Sequence, residues 1–259
     1  MKKRRRLLFA FAAIAIGAIA AAIFSNNGHR APTGEGRAAA SFAADALRRA
    51  RLEANGGYTL EAERVLKRAL EREPDDYDAQ RMLGAVYMSQ HRFREAIEVA
   101  NRAMRARPND AWNYGVLGDA HIELGDYDQA FNAFDTMARL RPNAAAYARI
   151  AYARELQGHL DAAIASMRMA AEATGAQDPE SLAWHYAQTG NLLLQKDDVE
   201  GAAREYARAE HAFPGHPFAE AGLGKVAVAR GQYDAALTIY RALLKRRRPP
   251  RRRSPSAIC

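Results

Sequence analysis

The stretch Leu117-Gly118-Asp119-Ala120-His121-Ile122-Glu123-Leu124-Gly125-Asp126-Tyr127-Asp128-Gln129-Ala130-Phe131-Asn132-Ala133-Phe134 decides the fold. Its apolar and small residues recur at helical spacing on both sides of Gly125. It therefore reads as a helix, a tight turn and a second helix, with Gly125 in the left-handed conformation that ends the first. Gly118 and Ala130 are the small residues that let the two helices approach closely. One such hairpin cannot bury both of its faces, so neighbours must stack on it.

Those neighbours are present in the chain. Counted from Ala43 at a period of 34, the same residue types return at the same positions. Position 8 is small in Ala50, Gly84, Gly118, Ala151, Gly190 and Gly224. Position 20 is alanine in Ala62, Ala96, Ala130, Ala163, Ala202 and Ala236. Position 24 is bulky in Leu66, Phe134, Met167, Tyr206 and Tyr240, with Ala100 the exception. Position 15 carries Gly57, Gly125, Gly158 and Gly231, where a helix must end in a left-handed residue. Position 32 is Pro74, Pro108, Pro142 and Pro214, with Gly175 in the fourth unit; proline there stops the second helix. Asp75-Asp76 and Asn109-Asp110 then offer caps for the next first helix.

The pattern resembles the tetratricopeptide repeat family. Gly84-Ala85-Val86-Tyr87 through Ala96 to Pro108 carries that family's Gly, Tyr, Ala and Pro positions, and Leu117-Gly118, Gly125-Asp126-Tyr127, Ala130, Phe134 and Pro142 repeat them. The resemblance covers residues 43 to 248, about 80% of the chain. It implies an all-α fold, a right-handed α-solenoid of about six hairpins with units 43–76, 77–110, 111–143, 144–177, 183–216 and 217–248. Residues 178–182 read as an insertion between the fourth and fifth units. Arg49, at a position where the other units carry Leu, Ile or Thr, suits a capping repeat whose outer face meets water.

The resemblance further implies an inner surface lined by the first helix of each unit, at positions 2, 5, 9, 12 and 13. These hold Arg51, Arg81, Met88, Trp112, Asp119, Glu123, Tyr152, Trp184, Asn191, Leu194, Phe218 and Lys225. Aromatic and Arg side chains are enriched in binding hot spots, so the surface reads as a groove for a protein or peptide partner. Trp112, Trp184 and Phe218 share position 2, and packing between neighbouring units is the competing reading for them. The adjacent-unit Lys/Asn arrangement that clamps a carboxylate in the family is missing, so an acidic chaperone C-terminus is not an expected partner.

The N-terminus reads as an export element. Five consecutive basic residues, Lys2 to Arg6, precede Leu7 to Phe24, an 18-residue run without charge. As a helix that run spans about 27 Å, close to a bilayer's hydrocarbon core, and the basic flank stays cytoplasmic. Residues 1–24 are then either an uncleaved anchor or a signal peptide. Eight alanines in the run weaken the first reading, and Ala18-Ile19-Ala20 and Ala20-Ala21-Ala22 offer cleavage sites for the second. Both place the rest of the chain outside the cytoplasm, in a periplasmic setting, with residues 25–42 as a flexible linker. At the other end, Lys245-Arg246-Arg247-Arg248-Pro249-Pro250-Arg251-Arg252-Arg253 interrupts the sixth unit, so residues 245–259 are expected to be a disordered tail. That tail either touches anionic lipid or marks a shortened chain.

Composition narrows the function. The net charge of +8 arises from five basic residues at 2–6 and seven at 245–253; removing those twelve leaves the other 247 residues at −4. The repeat body is mildly acidic, so no nucleic-acid partner is expected. The single cysteine, Cys259, allows no internal disulfide and no multi-cysteine metal motif. No phosphate-binding Gly-rich loop, nucleophile elbow or paired metal-binding histidine motif occurs. His211 and His216 straddle Pro214 and do not share a helical face; His121 reads as a packing residue. No cofactor, metal or catalytic residue is expected. A non-catalytic binding scaffold is the leading reading. The alternative is a regulatory or targeting module of a longer protein, an enzyme among the options.

Overall fold

The computed structural model describes residues 34–53 and 55–247. Residues 1–24, read as signal or anchor, and 248–259 of the expected tail lie outside the described residues, as does the Arg51 side chain. The described residues form twelve α-helices and no strand. They pair as α1 (Gly34–Glu53) with α2 (Gly57–Arg72), α3 (Tyr77–Ser89) with α4 (Phe93–Ala106), and α5 (Ala111–Leu124) with α6 (Tyr127–Leu140). Then come α7 (Ala144–Leu156) with α8 (Leu160–Thr174), α9 (Pro179–Gln195) with α10 (Val199–Ala212), and α11 (Pro217–Ala229) with α12 (Tyr233–Arg247). The described residues fall into two compact units divided between Ile150 and Ala151, within α7.

Three local rules make these helices. The second helices α2, α4, α6 and α10 each end two residues before a position-32 proline. Proline pushes the residue before it out of the helical region, and Glu73, Arg107, Arg141 and Phe213 all leave it, with φ of −129°, −139°, −149° and −145°. Side-chain caps then start the next helices: Asp76 Oδ1 accepts from Ala79 N at 2.7 Å, Asp110 Oδ1 from Trp112 N at 2.9 Å, and Asn143 Oδ1 from Ala146 N at 3.0 Å. The turn inside five of the six hairpins holds one left-handed residue. Gly125, Gly158 and Gly231 supply it at φ of 83°, 80° and 73°. His91 and Asp197 supply it in the second and fifth hairpins, at 58° and 62°.

Four sequence expectations change. Gly57 has no positive φ and starts α2 instead of ending α1. The linker expected over 25–42 is helical from Gly34, because Ala39, Ala43, Ala46 and Leu47 form a buried stripe at helical spacing that outweighs Gly34 and Gly36. The insertion 178–182 is no loop. Asp178 Oδ1 accepts from Ser181 N at 3.0 Å, Pro179 takes the first helical position, and the insertion lengthens α9 by about one turn. The tail boundary also moves, since α12 continues through 245–247 before the prolines.

The core within each hairpin is a small-against-large contact. A Cβ added at Gly118 would lie 2.2 Å from the Phe134 ring, one at Gly190 2.7 Å from the Tyr206 ring, and one at Gly224 2.7 Å from the Tyr240 ring. Phe134 and Tyr206 are fully buried, and so are Ala62, Ala96, Ala130, Ala163 and Ala202. Tyr206 also reaches the next hairpin, where a Cβ at Gly222 would meet it at 2.1 Å. Close packing at this density leaves no room for one added methyl group at these glycines.

Candidate functional site

In the unit that ends at Ile150, the first-helix side chains named from the sequence divide by what they touch. The Arg81 guanidinium lies over the Trp112 ring, 4.9 Å from its centroid. Trp112 is half-buried, and its Cη2 is the atom nearest a Cβ added at Gly84, at 3.7 Å. It therefore combines the two readings, packing against the preceding first helix while offering a ring to Arg81. Asp119 accepts two hydrogen bonds from Arg149, Nε to Oδ1 at 2.9 Å and Nη2 to Oδ2 at 2.7 Å. Arg149 Nη1 also donates to the Ala145 carbonyl at 3.2 Å. Both side chains are largely buried, so the pair fixes the relation of α5 to the start of α7 more than it adds net stability.

Glu123 stands one turn beyond Asp119 on α5. Burial raises its carboxyl above the ordinary range; the nearby His91 pulls the other way, and the Asp119 charge adds to the rise. Glu123 Oε1 and Arg81 Nε are buried atoms with no hydrogen-bond partner in the structure. Met88 is corrected: it is 8% exposed and packs in the core with Val86, Tyr87 and Val116, because position 12 of α3 faces the next hairpin there.

In the unit that begins at Ala151, Asn191 is a hub. Its Oδ1 accepts from Tyr206 Oη and from Lys225 Nζ, each at 2.8 Å, and its Nδ2 donates to Gln188 Oε1 at 3.2 Å. Burial lowers the Lys225 ammonium below the usual lysine range. Trp184 is corrected toward packing: it is 7% exposed, with its ring edge-on to His185 at 5.1 Å. His185 is itself buried, which pushes its pKa down to about 4. Phe218 is half-buried beside the His216 ring at 5.7 Å. Tyr152 and Leu194 are half-buried on their first helices.

Sequence reasoning missed Arg149 and His91. Arg149 sits at position 6 of its unit, beside the inner positions, and the signal for it was an unbalanced Asp119 one unit earlier. His121, read as packing, has Nδ1 3.3 Å from Asp126 Oδ2 across the turn of its own hairpin. Among the described residues no group of three or more His, Cys, Asp and Glu side chains is placed to hold a metal ion. No described helix is long and apolar enough to cross a membrane.

Two family models, both described as tetratricopeptide repeat, match residues 57–114 and 193–254, and residues 116–181. The chain belongs to the tetratricopeptide repeat family. Its fold is similar to a crystal structure of PilW, described as a widely conserved type IV pilus biogenesis factor, at a TM-score of 0.66 and 15% identity over 81% of this chain and 92% of that one. It is also similar to a thermophilic tetratricopeptide repeat protein of Thermus thermophilus, at a TM-score of 0.54 and 22% identity over 76% and 99%. A third likeness is to MamA of Desulfovibrio magneticus RS-1, at 0.53 and 21% over 70% and 97%. No curated protein matches the chain.

Proposed function

We propose that the chain is a non-catalytic scaffold that holds a peptide or protein segment against the first-helix faces of its hairpins, outside the cytoplasm. Membership of a family of protein-binding repeats supports the class. The observation that carries the finer reading is the Arg81–Trp112 stack: a half-buried aromatic ring under a cation whose Nε has no hydrogen-bond partner in the structure. Such a combination suits a polar peptide backbone crossing an apolar step. Export rests on the basic and apolar N-terminal sequence, with residues 7–24 as the membrane contact where they are retained.

The test begins with cross-linking and capture by the full chain from its native membrane fraction. Arg81→Gln is expected to weaken capture by about 2 kcal/mol, the scale of a hot spot, with helix content unchanged. Arg94→Gln, an exposed change on α4, serves as the control and should leave capture intact. Equal capture by wild type and Arg81→Gln refutes the site. A reporter that works only outside the cytoplasm, fused after residue 247, should be active; silence there refutes the location while leaving the binding reading standing.

A further inference from the structure

The last described helix carries an exposed apolar stripe, and at two of its three positions the counterparts in earlier hairpins are covered. Tyr233, Leu237 and Leu244 are 65%, 49% and 66% exposed. The residues equivalent to Leu237 in the five earlier hairpins are Glu63, Ile97, Phe131, Ile164 and Ala203, and all are buried or half-buried. Those equivalent to Leu244 are Leu70, Met104, Ala138, Ala171 and Glu210, and the same holds. The stripe is therefore the face by which a hairpin of this chain receives another helix.

Its register says which kind of helix. Tyr233, Leu237 and Leu244 are spaced by four and seven residues, the seam spacing of paired helices, while Tyr240 between them turns toward Gly224 of its own hairpin. At 3.6 residues per turn they fall within about 60° of one another. Asp234, Arg241 and Lys245 lie together along one flank of that seam, all exposed. In an antiparallel pair of identical helices each flank meets the same flank of the partner, reversed end for end. Asp234 of one copy then faces Arg241 and Lys245 of the other, twice over. A parallel pair would instead set this flank against the opposite flank of the partner and leave Asp234 without Arg241 or Lys245 to face. Antiparallel packing also opposes the two helix dipoles favourably.

We infer that α12 is a homodimer surface, on which a second copy of this chain lays its own α12 antiparallel about a twofold axis near residues 238 and 239. The contact is self-complementary, as a closed dimer requires. It is independent of the partner-binding reading above.

Sedimentation equilibrium of the full chain in detergent should give a dimer. Asp234→Lys, a surface change that leaves the apolar seam intact, should raise the dimer dissociation constant by about tenfold or more. Adding Arg241→Asp and Lys245→Asp to it should restore the wild-type value. A monomeric wild type at about 100 µM, well above typical specific affinities, overturns the proposal; the stripe then meets a different protein or a lipid surface. Orientation is tested in a Cys259→Ser background. Chains with Tyr233→Cys should cross-link to chains with Leu244→Cys, and neither to itself. Self-cross-linking of Tyr233→Cys, or a dimer indifferent to Asp234→Lys, would overturn the antiparallel geometry.

Discussion

The second and third hairpins solve the same packing problem in different ways. In the third, Gly118 on α5 lies directly under the ring of Phe134 on α6, its own partner helix. In the second, the position equivalent to Phe134 is Ala100, and Gly84 has no ring of its own hairpin above it. What approaches Gly84 instead is Trp112, from the first helix of the following hairpin, with Val116 beside it. The second hairpin thus moves its large residue out of the hairpin and into the junction with the next. The glycine of the repeat signature is a steric requirement only where a ring presses on it from within.

That difference is open to direct attack. Gly118→Ala is expected to have the largest effect. Alanine favours a helix interior by about 1 kcal/mol over glycine, but the new methyl collides with a ring that is fully buried and cannot swing away. Overpacking of this kind costs about 1–3 kcal/mol, and the 2.2 Å contact puts Gly118→Ala at the upper end. Urea unfolding should show the loss, and Phe134→Leu in the same chain should recover part of it. Full stability in Gly118→Ala alone would show that Phe134 does not set the helix separation.

The repeat was legible because small and large residues alternate at constant positions, and geometry demands that alternation in nearly every hairpin. Ala100 broke the pattern in the sequence and breaks it in the structure, for the reason just given. The left-handed turns were only partly legible. Glycine announces such a turn, whereas His91 and Asp197 adopt it without any signal beyond their place in the period. The start of α1 was hidden because Pro32, Gly34 and Gly36 read as linker, while the stripe from Ala39 to Leu47 is satisfied only by packing. Position numbers placed Arg81, Trp112, Asp119 and Asn191 on first helices, where the structure has them. They could not say that Met88 and Trp184 turn inward, or that Arg149 occupies Asp119, because those facts depend on the side chains that neighbouring helices bring.

The turns give a second, smaller test. A non-glycine residue at positive φ carries strain of order 1 kcal/mol, and Asp is among the residues that tolerate it best. Asp197→Gly should therefore stabilise the fifth hairpin by up to about 1 kcal/mol, less the entropy that glycine adds to the unfolded chain. The Asp198 cap on Gly201 N at 2.8 Å is untouched by the change. A lower melting temperature would mean that the Asp197 side chain holds the turn by a contact more valuable than the strain it carries.

Gly84→Ala is the smallest expected effect and the sharpest, because its sign is opposite to that of Gly118→Ala. Gly84 is in the interior of α3, where glycine is less favourable than alanine by about 0.8–1.0 kcal/mol. A Cβ there would meet Trp112 Cη2 at 3.7 Å and Val116 Cγ1 at 3.8 Å, ordinary van der Waals separations that add contact without collision. Nothing in the second hairpin has to move to admit it. The variant should therefore be more stable than the wild type by about 0.5–1 kcal/mol. The same substitution at the same repeat position, one unit apart, should raise the denaturation midpoint in one case and lower it in the other. A loss at Gly84 as large as that at Gly118 would mean that Trp112 presses on α3 as firmly as Phe134 presses on α5, and that the two hairpins share one mode of packing.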